Sequence, residues 1–247
     1  MIKEILLRIY SVWLVLIFFC IMVPMFPLIV IPIVVLGDKK GGAVGYFFLK
    51  IWAILLGIFY FVIYKFHNRE SIDRSKAHIY VANHNSFFDS VTLMLGIPGQ
   101  FRPLGKIEIT KAPIFGYIYS KIVVTVDRKS VTNRQKSILQ LIQKLKNGIS
   151  VLIFPEGSMN KSDNNINTFH DGAFMIAVES QTPIIPVVLI NSRYVMPDLP
   201  YLLVRPGIIN TYFADAIPTE GLTKADVPAL KEKVYNIMNE MIEKYKK

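Results

Sequence analysis

One cysteine, four histidines and 19% charged residues are a sparse chemical inventory for 247 residues. The single Cys20 excludes an internal disulfide framework and any cysteine-based zinc cluster, and it suits the reducing side of a membrane. It also lies in an apolar stretch where a thiolate is disfavoured, and no Gly-x-Ser-x-Gly elbow occurs. Covalent catalysis through serine or cysteine therefore has no evident nucleophile. There is no internal repeat and no low-complexity tract, which excludes solenoid architectures. Acidic residues are scarce: 18 against 28 basic ones leave a formal charge of +10. That excess calls for an anionic partner, either nucleic acid, lipid headgroups or a phosphorylated substrate. Seven basic and three acidic residues fall within positions 1–70, so +4 sits there and the other +6 is dispersed. No nucleic-acid recognition motif accompanies it, so no nucleic-acid partner is expected.

What the chain does have is apolar length. No charge occurs across the 28 residues from Ile9 to Leu36, and Lys50 is the one charge among the 22 from Ala43 to Tyr64. About 20 such residues span a hydrocarbon core, and a secretory signal peptide would carry an apolar run of only roughly 7–15. The intervening Gly37-Asp38-Lys39-Lys40-Gly41-Gly42 reads as a tight turn, so the two runs form an antiparallel hairpin. Lys3 and Arg8, Lys39 and Lys40, and Lys65 and Arg69 flank its ends and tip. The positive-inside rule places all six on one side, which a double crossing would violate. Pro24, Pro27 and Pro32 favour a bend in the first helix. The expectation is a hairpin that dips into the bilayer and returns, forming an anchor over residues 1–70.

Beyond residue 70 the pattern becomes globular. Strands are expected at 78–82, 121–126, 150–154 and 184–190, with a late strand around Ile208 to Phe213. Helices are expected at 86–95, 131–147, 172–180 and 227–245; Ser130 can cap the second and Gly148 can end it. Strands alternating with helices predict an α/β layered domain over 71–247, with a mostly parallel or mixed central sheet.

Two short segments carry chemical interest. His84 and Asp89 bracket Asn85-Ser86-Phe87-Phe88 between a strand and a helix. Residues five apart on one helix point about 140° apart, so the pair meets only if His84 lies in the loop and Asp89 in the first helical turn. Asn85 or Ser86 can cap that turn. The carboxylate can then fix the imidazole tautomer, and the other ring nitrogen can take a proton from a hydroxyl. The spacing alone arises by chance roughly 0.15 times in such a composition, and a capped helix with a satisfied histidine is its bland alternative. Phe154-Pro155-Glu156-Gly157-Ser158 follows a buried strand, where Pro and Gly bring backbone close to any ligand.

The order of blocks is more specific than either segment. Asn83-His84 through Asp89 is followed by Lys106-Ile107-Glu108 with Pro113 and Gly116, then Val126-Asp127-Arg128. Phe154-Pro155-Glu156-Gly157 and Ile185-Pro186-Val187 complete the series. Over roughly residues 65–215 the chain resembles the glycerolipid acyltransferase family, typified by bacterial 1-acyl-glycerol-3-phosphate acyltransferases. Its apolar N-terminal pair looks like the membrane anchor of the bacterial members.

That resemblance implies O-acyl transfer at a membrane surface, making phosphatidic acid from 1-acyl-glycerol-3-phosphate. It implies His84 as general base and Asp89 as its partner. Lys106 and Arg128 would lie near the acceptor phosphate, with Glu156, Gly157 and Ser158 in the acceptor-binding segment. The donor would be a fatty acyl thioester on acyl carrier protein or coenzyme A, with no metal or other cofactor, and direct attack in a ternary complex would replace an acyl-enzyme. The implied partners are a lysophospholipid and membrane lipids, and the implied location is the cytoplasmic face of a bacterial inner membrane. Two departures stand out. Ser158-Met159 replaces the family's frequent Thr-Arg, and His170-Asp171 replaces basic residues before Gly172-Ala173. Lys161 is a candidate substitute cation. The departures leave a lyso-ornithine or lyso-glycine lipid as an alternative acceptor, and a non-catalytic lipid-binding protein is the alternative of another class.

Overall fold

The computed structural model describes residues 2–199 and 201–246. The first element, α1 (Ile2–Phe59), is two helical arms that meet at Gly37, whose φ of 76° is the one non-helical position inside it. Glycine reaches that conformation without a Cβ penalty. The arms pack closely: a Cβ at Gly41 would lie 1.9 Å from the Pro32 carbonyl oxygen, and one at Gly45 3.1 Å from that of Ile29. The expected hairpin is present. Its turn is a break at a single residue, and Pro24, Pro27 and Pro32 lie within helical backbone.

Strands β1 (Val62–His67) and β2 (Ile79–Ala82) are followed by α2 (Phe88–Gly96), β3 (Phe101–Lys106), α3 (Phe115–Ile122) and β4 (Val124–Val126). Then come α4 (Val131–Lys146), β5 (Ser150–Ile153), α5 (Gly172–Ser180), β6 (Ile184–Ile190), α6 (Ser192–Val195), β7 (Gly207–Phe213) and α7 (Val227–Tyr245). The seven strands form one mixed sheet in the order β1-β7-β6-β2-β5-β3-β4. Every neighbouring pair is parallel except β6 with β7, so β1 and β7 run against the other five.

Strand alternation divides the core in two. Ile79 and Val81 of β2 and Val188 and Ile190 of β6 face α4, α5 and α7. Tyr80, Ala82, Val187 and Leu189 face the other way, into a cluster with Leu14, Met22, Leu49, Trp52 and Leu56 of the hairpin. Both sheet faces are covered, which is why Ile184–Ile190 is apolar throughout. The hairpin is therefore a layer of the domain itself.

That layering corrects the expected boundary at residue 70. The sheet begins at Val62, where β1 pairs in parallel with β7 from Val62↔Gly207 to His67↔Tyr212. The strand expected at 121–126 is also shorter, because Ile118 and Ile122, four apart, are both buried and draw residues 115–122 into α3. The expected cap at Ser130 is present, its hydroxyl accepting from the Asn133 N–H.

Candidate active site

Strands β2, β5, β3 and β4 are mutually parallel neighbours, so their carboxyl ends share one edge of the sheet. Each leads into one of the conspicuous segments: β2 into His84, β5 into Phe154-Pro155-Glu156, β3 ends at Lys106, and β4 leads into Arg128. Crevices outside the carboxyl ends of such strands are the usual ligand sites of open α/β sheets. At one inter-strand spacing per step, Lys106 starts about 10 Å and Arg128 about 14 Å from the His84 strand, within reach of their long side chains.

His84 lies in the loop and Asp89 in the first turn of α2, as their meeting requires. His84 Nδ1 is 2.9 Å from Asp89 Oδ2. The same oxygen accepts the backbone N–H groups of Asn85 at 2.7 Å and Ser86 at 2.8 Å. Asp89 is fully buried and its Oδ1 has no hydrogen-bond partner among the described residues. The Ser86 hydroxyl supports the turn by accepting from the Phe88 N–H at 3.1 Å. The His84 ring stacks on Phe154, with centroids 4.1 Å apart and planes 19° apart. Its Nδ1 is thereby committed to Asp89, and Nε2 has no hydrogen-bond partner among the described residues. The arrangement can accept a proton at Nε2 while the carboxylate stabilises the imidazolium.

The loop carrying His84 is tied down on three sides. Asn83 donates to the Leu189 carbonyl at 3.0 Å and accepts the Leu189 N–H at 2.8 Å, joining the end of β2 to β6. The His84 carbonyl accepts the Asn160 N–H at 2.6 Å. Glu156 Oε1 accepts the His84 N–H at 2.9 Å, and Oε2 accepts the Asn167 N–H at 2.8 Å. Glu156 is only 5% exposed, and burial pushes its carboxyl pKa up against the opposing pull of those two N–H groups. The family resemblance implies Glu156 among the acceptor-binding residues. In the fold its two oxygens face backbone, holding the His84 loop to the segment that follows β5. Phe154, Asn160 and Asn167 carry no recognisable sequence signal for these contacts.

The neighbouring candidates fall into two groups. Lys106 and Arg128 are exposed, and neither forms an ion pair among the described residues. Between them Tyr119 lies over Gly105, where a Cβ would come 1.8 Å from its hydroxyl, and burial pushes that hydroxyl's pKa up to about 12. Gly157 adopts φ 72°, and a Cβ there would meet the His170 ring at 2.8 Å. Ser158 is exposed beside it. Lys161 is paired with Asp198, and Asp171 holds Lys231 at 2.6 Å. Neither Lys161 nor Asp171 is left uncommitted.

The family model described as Acyltransferase matches residues 63–190. A chloroplastic 1-acyl-sn-glycerol-3-phosphate acyltransferase of Arabidopsis thaliana is 31% identical over 168 residues, covering 67% of this chain and 46% of that protein. The human 1-acyl-sn-glycerol-3-phosphate acyltransferase alpha is also 31% identical over 168 residues, covering 66% and 58%. The chain spans about half the length of the curated relatives it matches. The crystal structure of the 1-acyl-sn-glycerophosphate acyltransferase PlsC from Thermotoga maritima superposes with a TM-score of 0.80 at 20% identity, covering 99% of this chain and 97% of that one.

Proposed function

Because the chain belongs to the acyltransferase family, we propose that it moves a fatty acyl group from a thioester to the free hydroxyl of 1-acyl-glycerol-3-phosphate, giving phosphatidic acid. The observation that carries the reading is the His84–Asp89 pair, with Nε2 available at the same sheet edge as the unpaired Lys106 and Arg128. In this mechanism the acceptor hydroxyl gives its proton to His84 Nε2 as its oxygen attacks the thioester carbonyl. Collapse of the tetrahedral intermediate expels the thiolate of coenzyme A or acyl carrier protein, which recovers the proton from His84. Asp89 keeps Nδ1 protonated throughout. No metal or other cofactor enters this scheme.

The relatives' names support the acceptor, as do Lys106 and Arg128, two exposed cations that form no ion pair among the described residues. Incubating the purified full chain with an acyl thioester and 1-acyl-glycerol-3-phosphate, with mass spectrometry of the product, tests the reaction. A parallel incubation with a lyso-ornithine lipid tests the phosphate requirement. Faster turnover of the phosphate-free lipid would replace the acceptor, and no turnover of either would favour a lipid-binding protein.

The hairpin is proposed to seat the enzyme in one leaflet, on the cytoplasmic face of a bacterial inner membrane. Its tip supports this: Asp38 is 2.8 Å from Arg102 of β3 and 2.6 Å from Lys144 of α4. At the other end Tyr10 donates to the Val204 carbonyl at 2.7 Å and Ser11 to that of Leu202 at 2.6 Å. A hairpin crossing the roughly 30 Å hydrocarbon core would carry its tip away from the domain. Val34, Val35, Leu36, Phe47 and Ile58 instead present an apolar outer surface suited to lying in the interface.

A further inference from the structure

Lys50 is the one charge in the second apolar arm, and nothing in the proposed chemistry uses it. On α1 it borders the exposed stripe of Phe47, Ile54 and Ile58, lying within about 80° of each around the helix axis. Its ammonium is 3.4 Å from the Ile97 carbonyl oxygen. The adjacent Gly96 abuts the Phe66 ring, and the Arg69 guanidinium lies 5.5 Å from the centre of that same ring. Arg74 follows Arg69 by five residues in the same connection between β1 and β2, and the charges of both bear on Lys50. Two segments of the chain, α1 and the connection from β1 to β2, thus bring three cations to one region.

Their surroundings do not neutralise them. None of the three forms an ion pair among the described residues, and Glu70 is the carboxylate that bears on Arg69. Asp73 is engaged with Ser75 and lies 4.0 Å from Lys76. Arg69 Nε is buried without a hydrogen-bond partner among the described residues. Like charges held together at the rim of an exposed apolar stripe have the arrangement expected at headgroup depth, where long basic side chains reach phosphates while their neighbours enter the acyl region.

We propose that Lys50, Arg69 and Arg74 form an anion site, away from His84, that takes the phosphate of an anionic membrane lipid lying beside the hairpin. The shared chemistry is a phosphate, and the apolar stripe next to it assigns the lipid as its source. The proposal rests on the membrane seating given above.

Co-sedimentation of the purified full chain with vesicles separates the two ideas. Measurable binding to pure phosphatidylcholine reports the hairpin's insertion alone, and its absence would overturn the seating. Admixed phosphatidylglycerol should tighten binding, by about fivefold per cation engaged. The variant K50Q/R69Q/R74Q should lose most of that gain, on the order of 100-fold, and keep its phosphatidylcholine binding. The charge-matched variant K136Q/K224Q/K233Q, altered on the opposite layer, should keep the gain. Arg74 is exposed, so Arg74→Gln alone leaves the fold intact and should show its own share of about fivefold. Retention of the gain by the triple variant, or equal loss in the charge-matched control, would overturn the site. Loss of the gain on adding inorganic phosphate, but not sulfate at equal ionic strength, would reassign it to soluble phosphate and overturn the lipid.

Discussion

Glu156 holds His84 by its backbone: the carboxylate after β5 accepts the N–H of the residue whose ring is bonded to Asp89, at 2.9 Å. The buried carboxylate thus sets where the imidazole sits without touching it. Glu156→Gln puts an amide NH₂ against either the His84 or the Asn167 N–H. Loss of a hydrogen bond to a charged group is worth about 1.5–3 kcal/mol, so kcat should fall by about 10- to 150-fold. Acceptor KM should stay nearly constant, because the side chain positions a base and does not grip substrate. A rise in KM with unchanged kcat would return Glu156 to the acceptor-binding role.

The same residue has a pH signature. Burial raises its folded-state pKa above the unfolded value, so its neutral form is favoured by the fold. Its contribution to stability is present at low pH and is lost as pH rises through the folded pKa. The melting-temperature advantage of the wild type over Glu156→Gln should therefore shrink from acid to neutral pH. Thermal melts of both proteins across that range check the sign.

His84→Ala should lower turnover by about 10²–10⁴-fold, with the circular dichroism of the folded protein intact, since the loop is held by Asn83 and Glu156. Asp89→Asn should also be damaging: it exchanges a charge that stabilises the imidazolium for a neutral amide. Near-normal turnover by purified His84→Ala would remove the general-base role.

Arg128→Ala should lose about 10- to 150-fold in kcat/KM on 1-acyl-glycerol-3-phosphate, and less on a lysolipid without phosphate. Met159→Arg should leave activity intact or strengthen acceptor binding, since Lys161 is held by Asp198. Steady-state kinetics on both acceptors decide; equal losses for Arg128→Ala would take it away from the phosphate.

A fragment comprising 71–247 should fail to fold as a soluble unit. It lacks β1 and exposes the sheet face that Leu14, Met22, Leu49, Trp52 and Leu56 cover. Recovery of a monomeric fragment with a cooperative thermal transition would show that the sheet can stand without its hairpin layer.

Much of this was legible where local pattern and tertiary context agree. The helices at 172–180 and 227–245 and the strand at 184–190 have the expected bounds, because periodicity and burial coincide there. Strand β1 is hidden because Val62-Ile63-Tyr64 continues the hairpin's apolar run; only Phe61, at φ 56°, marks the break. Strand β3 is hidden by its composition, Phe101-Arg102-Pro103-Leu104-Gly105-Lys106. Its arginine is 1% exposed and acceptable there because Asp38, 64 positions away in sequence, pairs with it. His84 and Asp89 could be singled out as a pair able to meet at a strand–helix loop, but it is the order of the other blocks, not the spacing, that lifts them above a capped helix with a satisfied histidine. Whether Glu156 faces a ligand or backbone depends on residues 84 and 167, which spacing does not reveal.

Asp38 at one end of the hairpin, and Tyr10 and Ser11 at the other, leave it no hinge on the sheet. Seated in a leaflet as proposed, such a rigid keel would set the draught of the whole molecule. The height of His84 above the acyl chains would then be a constant of the fold. Acceptors would be sorted by how far their hydroxyl stands out of the bilayer, before any side chain has touched their headgroup.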